Sequence, residues 1–145
     1  MKAREDITSM INSKKPLGMS RFDKPYRVLV ADDSTTMRKI VSQQLRAEMF
    51  EICGEASNGQ EALELYKELD PDAVTLDINM PIMDGIMALQ GILNHDNKAC
   101  VIMLSSEGQR QMVIDAIRMG AKGYIVKPPN KEKVCNKVKK APEDS

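Results

Sequence analysis

Short runs of apolar residues recur along this chain, and segments with a different periodicity separate them. Four of the runs are apolar almost without interruption: residues 28–31, 73–76, 100–104 and 124–126. Continuous apolarity over so few residues is typical of strands that are covered on both faces, as in a parallel sheet. A fifth run, residues 50–53, alternates between apolar and polar side chains, and this alternation favours an edge strand.

Between the runs, the apolar residues follow the spacing of amphipathic helices, each with one face turned to the core. The stripes are Met37, Ile40, Val41 and Leu45; Ala62, Leu65 and Leu69; Ile86, Leu89 and Leu93; Met112, Val113, Ala116 and Ile117; and, more weakly, Val134 and Val138. Asn58, followed by Glu61 three residues later, is typical of a helix start with a capping box.

These elements form five consecutive strand-then-helix units. Their order predicts an α/β fold, a doubly wound five-stranded parallel sheet flanked by five helices with right-handed crossovers. The 145 residues leave room for one domain. We expect it to span residues 25–141, between an N-terminal extension at residues 1–24 and a C-terminal tail at residues 142–145. In the extension, Ile7, Met10 and Ile11 predict one turn of amphipathic helix, and the extension is expected to dock on the domain.

Composition narrows the range of partners. Lysine plus arginine and aspartate plus glutamate are balanced at 21 each, which argues against nonspecific binding to nucleic acid or to a membrane. No apolar run approaches the roughly 20 residues of a membrane span, and the first residues do not resemble a signal peptide. Cys53, Cys100 and Cys135 lack the spacing of a zinc or redox site. We therefore expect a cytoplasmic protein with reduced cysteines.

Polar residues with reactive side chains follow four of the predicted strands. Asp32 and Asp33 follow the first strand, Asp77 the third, Ser105 the fourth and Lys127 the fifth. Taken alone, each has an ordinary explanation as a helix cap, a turn residue or a surface lysine. However, the carboxyl ends of parallel strands share one edge of the sheet, so we expect these side chains to converge on one crevice.

A cluster of this composition favours one kind of chemistry. Neighbouring carboxylates repel one another unless they share a cation, and an all-oxygen donor set favours Mg²⁺ over zinc. A lysine and a hydroxyl can neutralise phosphoryl oxygens while a carboxylate attacks phosphorus. The residues therefore predict a magnesium-dependent phosphoryl acceptor in which an aspartate is the nucleophile.

Four segments at these strand ends resemble the signature of two-component response regulator receiver domains, in the family's order and at its spacing. They are residues 31–34 (Ala-Asp-Asp-Ser), 76–85 (Leu-Asp-Ile-Asn-Met-Pro-Ile-Met-Asp-Gly), 103–106 (Met-Leu-Ser-Ser) and 123–128 (Gly-Tyr-Ile-Val-Lys-Pro). The resemblance extends from residue 27 to about residue 140 and implies the flavodoxin-like form of the predicted fold. Asn79, Glu107 and Tyr124 are similar to residues of the stand-alone chemotaxis regulators of the CheY type.

The resemblance implies a role for each residue of the cluster. Asp77 would be phosphorylated by a histidine kinase of the CheA type, and Lys127 would pair with the phosphoryl group. Mg²⁺ would be bound by the carboxylates of Asp33 and Asp77 and by the backbone carbonyl of Asn79, while Asp32 would act mainly through a metal-bound water. The protein would catalyse only its own phosphorylation and dephosphorylation, so it is not expected to be a turnover enzyme.

The resemblance also implies a switch and an output. Ser105 would move toward the phosphoryl group and Tyr124 would rotate inward behind it, altering the face formed by the fourth helix, the fifth strand and the fifth helix. Few residues follow Lys127, so we expect the output to be binding through the receiver's own surface. The implied partner is the flagellar motor switch, with a phosphatase as a possible further partner, and a monomer is expected.

Other interpretations remain open. A phosphorelay intermediate, or a single-domain receiver in a non-flagellar pathway, fits the same motifs. A small phosphatase that uses Asp77 as a covalent nucleophile is disfavoured, because such enzymes typically carry a second acid two positions later, where this chain has Asn79. A flavodoxin-like cofactor binder is disfavoured because the turn after the first strand is not glycine-rich.

Overall fold

A computed structural model describes residues 15–143 of the chain. Within that range the elements alternate strictly between strand and helix. In order they are β1 (Arg27–Ala31), α1 (Thr35–Ala47), β2 (Glu51–Ala56), α2 (Gly59–Leu69), β3 (Ala73–Asp77), α3 (Gly85–His95), β4 (Val101–Ser105), a 3₁₀ turn (Glu107–Gln109), α4 (Arg110–Met119), β5 (Gly123–Val126) and α5 (Lys131–Glu143). The helical turn expected at Ile7, Met10 and Ile11 lies outside the described residues, as do the last two residues of the expected tail.

The strands form one parallel sheet in the order β2-β1-β3-β4-β5. The predicted fold, a doubly wound five-stranded sheet flanked by five helices, is therefore confirmed for the described part of the chain. The chain first moves outward from β1 to β2 and then returns past β1 to β3. The strand order thus reverses between β1 and β3, and a reversal of this kind opens a crevice at the carboxyl ends of the two strands.

Each face of the sheet carries its own apolar core. The core on one face is formed with α2, α3 and α4, and the core on the other face with α1 and α5. Helix α5 is better anchored than its two valines suggested, because Cys135 and Ala141 are buried beside Val134 and Val138. Cys100 and Cys135 are buried and Cys53 is partly buried, as expected of packing residues.

The two edge strands have different exposure. Strand β2 lies at one edge, as its alternating pattern predicted. Strand β5 lies at the other edge, and the expectation that it is covered on both faces is wrong: Tyr124 is 46% exposed and Val126 is 43% exposed. Helix α5 covers Ile125 on one face, while the opposite face of β5 remains open beside α4.

The described part of the extension, residues 15–24, docks at the end of the sheet opposite to the strand carboxyl ends. Met19 forms a bridge with Pro25, and the Gly18 N–H donates to the Glu48 carbonyl at 2.6 Å. A Cβ atom at Gly18 would lie 2.2 Å from the backbone nitrogen of Phe50, so this approach requires glycine. Leu17 packs on the core beneath α1 and α5.

Within residues 15–143, no helix is both long enough and apolar enough to span a bilayer.

Candidate functional site

Three aspartates meet at the crevice between β1 and β3. Asp32 and Asp33 come directly after β1, and Asp77 is the last residue of β3, the neighbouring strand. Each offers a carboxylate oxygen, and these three oxygens lie within 4.8 Å of one another. Asp32 and Asp77 are only 2% and 4% exposed, whereas Asp33 is exposed to solvent. The structure therefore brings together the acidic residues that the sequence placed at one edge.

Lys127 reaches into this cluster from β5. Its Nζ atom lies 3.0 Å from Oδ1 of Asp77 and 3.1 Å from Oδ2 of Asp32. The backbone N–H of Lys127 donates to the Ser105 carbonyl at 2.7 Å, which fixes the start of the side chain beside the end of β4. The peptide bond between Lys127 and Pro128 is cis. One ammonium group thus contacts two of the three carboxylates.

Burial and charge act against each other within the cluster. The pKa of the Asp77 carboxyl is raised to about 6, chiefly by burial; the hydrogen bond and charge of Lys127 act to lower it, and the charges of Asp32 and Asp33 act to raise it. Burial lowers the pKa of the Lys127 ammonium, but its contacts with Asp77 and Asp32 outweigh burial, and the pKa ends above its ordinary value. Lys127 therefore stays charged, yet it does not offset the burial of Asp77.

The donor set fits a hard divalent cation. Oδ1 of Asp32 accepts a hydrogen bond from the Ser34 N–H at 2.9 Å. Oδ2 of Asp32 is completely buried and lies 3.1 Å from Nζ of Lys127. One ammonium group does not balance three neighbouring carboxylates, so a further cation would relieve the repulsion that remains. The three carboxylates could therefore hold a metal ion such as Mg²⁺, which prefers oxygen ligands.

Asn79 lies in the loop between β3 and α3, next to the cluster, and its side chain is exposed. The loop returns closely on β3, because the Gly85 N–H donates to the Ile78 carbonyl at 2.7 Å. A Cβ atom at Gly85 would lie 2.1 Å from the Asp77 carbonyl oxygen, so glycine is needed there. Asp84 accepts from the Met87 N–H at 2.9 Å and caps α3, so it has a structural role outside the cluster.

Ser105 and Tyr124 lie on the β5 side of the cluster. Ser105 ends β4 and is buried, while Tyr124 lies on the open face of β5. Both line a cavity of about 710 Å³ between α4 and β5. The rest of its wall is formed by charged and apolar residues, chiefly Glu107, Arg110, Ile114, Ile117, Arg118 and Val126. The expected switch residues are thus adjacent to an open surface of the protein.

The residues that cap α1 and α2 agree only in part with those that the sequence suggested. Ser34 caps α1 by accepting from the Met37 N–H at 3.1 Å, so Asp33 does not serve as the cap. Asn58 caps α2, as its position predicted. The partner residue of the capping box, Glu61, accepts from the N–H of Ser57 rather than from that of Asn58. With Ser34 as the cap, the Asp33 carboxylate remains available to the acidic cluster.

Two residues near the site were not singled out from the sequence. Arg38 on α1 donates to the Asp32 carbonyl at 2.7 Å, and the only sequence signal was a basic residue one turn after an acidic pair. Ile82, in the loop between β3 and α3, is 82% exposed and has a φ of +70°. A β-branched residue with positive φ cannot be recognised from residue type, because its type argues against that conformation.

Comparisons with known proteins agree with this geometry. A family model for the response regulator receiver domain matches residues 28–139. The chain is 41% identical to the chemotaxis protein CheY of Treponema pallidum over 140 residues, 95% of this chain and 96% of that protein. It is 48% identical to CheY of Bacillus subtilis over 115 residues, 79% of this chain and 96% of that protein.

A solved structure also resembles this chain along most of its length. The chain is similar to a protein in the crystal structure of the CheX-CheY-BeF3-Mg²⁺ complex from Borrelia burgdorferi. The TM-score is 0.82 at 42% sequence identity, and the match covers 86% of this chain and 96% of that one.

Proposed function

This chain belongs to the response regulator receiver domain family, and from that premise we propose that it is a single-domain chemotaxis switch of the CheY type. It accepts a phosphoryl group on Asp77 from a histidine kinase and then binds the flagellar motor switch. The observation that carries this proposal is the contact of one lysine with two buried aspartates, beside a third, at the point where the strand order reverses. The two CheY relatives, each matched over 96% of its length, support an assignment to the CheY type.

The cofactor in this proposal is Mg²⁺. Asp33 and Asp77 hold it through carboxylate oxygens, Asn79 through its backbone carbonyl, and Asp32 mainly through water. When bound, the ion supplies positive charge that offsets the charge of the phosphoryl oxygens. The three neighbouring carboxylates are oxygen donors of the kind that fit it. The similar Borrelia burgdorferi complex contains Mg²⁺ together with beryllofluoride.

Asp77 is the nucleophile in this scheme. One of its carboxylate oxygens forms a bond to phosphorus while the bond from phosphorus to the kinase histidine breaks, and the electron pair of that bond leaves with the imidazole. Lys127, whose Nζ already lies 3.0 Å from Asp77, pairs with the incoming phosphoryl oxygens. The same residues later allow hydrolysis of the acyl phosphate, so the chain acts on its own phosphoryl group and not on a substrate pool.

The output of the switch is the face formed by α4, β5 and α5. Ser105 moves toward the phosphorylated Asp77, and Tyr124 follows into the space behind it. In this structure Tyr124 borders the open cavity beside Ser105, where such a rotation changes the shape of the surface. The exposed apolar side chains of Ile114, Ile117 and Val126 at this cavity support binding of a protein partner there.

Three partners follow from this scheme: a kinase of the CheA type, the motor switch and a phosphatase. The similar Borrelia burgdorferi complex contains a second protein, CheX, which supports a further protein partner for this chain. A phosphorelay or non-flagellar pathway remains the alternative, because it uses the same chemistry with a different output. A location in the cytoplasm and a monomeric state stay predictions.

Capture by the immobilised protein tests the proposed function. The protein is charged with Mg²⁺ and beryllofluoride, which needs a free Asp77 carboxylate, and incubated with an extract of the source cells. Bound proteins are identified by mass spectrometry. We expect motor-switch proteins to be retained only in the presence of beryllofluoride. Asp77→Asn abolishes this retention, whereas Asp84→Asn preserves it, since asparagine is an equally good helix cap.

Two other outcomes of the capture experiment would lead to different conclusions about the output. Retention of motor-switch proteins without beryllofluoride, or by the Asp77→Asn protein, contradicts a phosphorylation-dependent output. Retention of a different set of identified regulators, dependent on beryllofluoride and on Asp77, supports the non-flagellar alternative.

A further inference from the structure

The side chain of Arg38 joins three elements behind the acidic cluster. Its Nη1 donates to the Asp32 backbone carbonyl at 2.7 Å, and its Nη2 contacts Oγ1 of Thr35 at 3.3 Å. Its Nε lies 3.4 Å from a carboxylate oxygen of Glu55 on β2. The Arg38 side chain is only 17% exposed, although its partners Thr35 and Glu55 are exposed to solvent. Arg38 therefore connects the turn after β1 with α1 and β2.

These contacts hold the segment that carries two of the three aspartates. The Asp32 N–H donates to the Ala56 carbonyl at 3.0 Å, and the Asp32 carbonyl accepts from Arg38. Oδ1 of Asp32 accepts from the Ser34 N–H. Asp32 is thus fixed through its backbone nitrogen, its backbone oxygen and one side-chain oxygen. Because the Asp32 carbonyl belongs to the peptide group that leads into Asp33, the guanidinium group also sets the direction in which Asp33 leaves the strand.

If Arg38 acted only through its positive charge, it would weaken the binding of a cation at the acidic cluster. A positive charge one peptide group away from the cluster repels a divalent ion, so its removal would strengthen binding of that ion. Glu55 is paired with the guanidinium and reduces this repulsion. A planar fork of donors placed behind a metal ligand is instead suited to holding that ligand in place.

We propose that Arg38 is a positioning residue for the cation site: its guanidinium group fixes the Asp32 carbonyl and thereby aims Asp32 and Asp33 at the metal. This inference rests on the proposed function, since it assumes that the cluster binds Mg²⁺. It assigns to α1 a role beyond its packing on the sheet, because α1 then carries the group that holds two ligands in register.

Isothermal titration with Mg²⁺ tests this assignment. The full-length protein is compared with Arg38→Met, Arg38→Lys and Lys39→Met, after circular dichroism and thermal unfolding in EDTA establish that each is folded. Lys39→Met is the matched control, because Lys39 is the exposed neighbour on the same helix and its replacement removes the same charge. We expect Arg38→Met and Arg38→Lys to raise the Kd for Mg²⁺ by roughly tenfold. Lys39→Met is expected to leave the Kd unchanged or to lower it.

The direction of the change in the Kd for Mg²⁺ decides whether Arg38 positions the site or only repels the cation. A Kd for Arg38→Met equal to or lower than that of the natural chain overturns the inference, because charge would then be the only effect. Arg38→Lys keeps the charge but lacks the fork, so a natural Kd for this variant also overturns it. If Arg38→Met does not fold, Arg38→Lys alone decides. If the natural chain does not bind Mg²⁺, the proposed function itself fails together with the inference.

Discussion

At the scale of single residues, Asp77 has an environment that disfavours its own charge. The carboxylate is buried at the end of a buried strand, and two further carboxylates lie beside it. Lys127 offsets this only in part, since the pKa of Asp77 remains raised to about 6. A group that is destabilised in its charged form binds a cation or a phosphoryl group more readily than an exposed aspartate does. The poor solvation of Asp77 is therefore part of its proposed chemistry.

The raised pKa of Asp77 predicts a specific dependence of stability on pH. Because the folded pKa of about 6 lies above the ordinary aspartate value of 3.8, the folded state binds the proton more tightly than the unfolded state. In metal-free buffer, the contribution of Asp77 to the free energy of unfolding should therefore rise as the pH falls from 7 to 4. We expect Asp77→Asn to be more stable than the natural chain at pH 7 by roughly 1–3 kcal/mol, and this advantage to shrink by pH 5.

Urea unfolding in EDTA at both pH values measures this difference. The comparison with Asp77→Asn is needed because other carboxyl groups respond in the opposite direction. Asp96, whose pKa is lowered by the hydrogen bond from Tyr66, loses its contribution as the pH falls. An advantage of Asp77→Asn that is the same at pH 7 and pH 5 would contradict the assignment of the raised pKa to Asp77.

Ile82 gives a second prediction at this scale. Its φ of +70° is unfavourable for a β-branched residue, and its 82% exposed side chain gains little from packing. Ile82→Asn should increase the free energy of unfolding by about 1 kcal/mol, since asparagine adopts positive φ more easily. Ile82→Val, which keeps the β-branch, should give no such gain. Thermal unfolding of the three proteins is the measurement, and an Ile82→Asn protein that melts below the natural one would refute the argument.

The residues of the acidic cluster could be found from the sequence, because they are tied to the ends of strands. Asp32, Asp33, Asp77 and Lys127 each follow a recognisable apolar run, and parallel strands bring such positions together whatever the side-chain details. Arg38 could not be found in this way. Its partners lie in a turn and in the neighbouring strand β2, and nothing in the local pattern of α1 indicates how far a flexible side chain reaches.

At the scale of elements, the edge strands show what the hydrophobic pattern can and cannot predict. The order of strands and helices follows from periodicity alone, and the alternation of β2 also indicated its place at the edge. The pattern of β5 is continuously apolar, yet only one face of it is covered. Tyr124 and Val126 are therefore exposed apolar residues, and pattern cannot distinguish a covered face from a face kept open for a partner.

The N-terminal segment gives the prediction that belongs to this scale. Residues 15–24 contribute the packing of Leu17 and two hydrogen bonds, from the Leu17 N–H to the Glu48 carboxylate and from the Gly18 N–H to the Glu48 carbonyl. Removal of residues 1–24 should therefore lower the free energy of unfolding by about 1–3 kcal/mol. Removal of residues 1–14 is the control, since it leaves these contacts in place. Urea unfolding measures the difference, and equal stability of the two truncated proteins would show that the docked segment adds nothing.

At the scale of the whole molecule, the amino and carboxyl ends of the sheet have different structural roles. Residues 15–24 close the amino end of the sheet and tie it to the end of α1. The carboxyl end holds the acidic cluster, and Lys127 connects that cluster directly to β5 and so to the open cavity at α4. The single side chain of Lys127 therefore links a charge added at Asp77 to β5, the strand that borders the proposed binding face. This short path offers a physical basis for the proposed switch.

The most direct test of the account is to locate a phosphoryl group transferred from a small donor. The protein is incubated with acetyl phosphate in Mg²⁺ or in EDTA, and the modified residue is identified by peptide mass spectrometry. The account predicts one phosphoryl group, on Asp77, formed in Mg²⁺ and strongly reduced in EDTA. Modification at another residue, or equal labelling of Asp77 without a divalent cation, would contradict it.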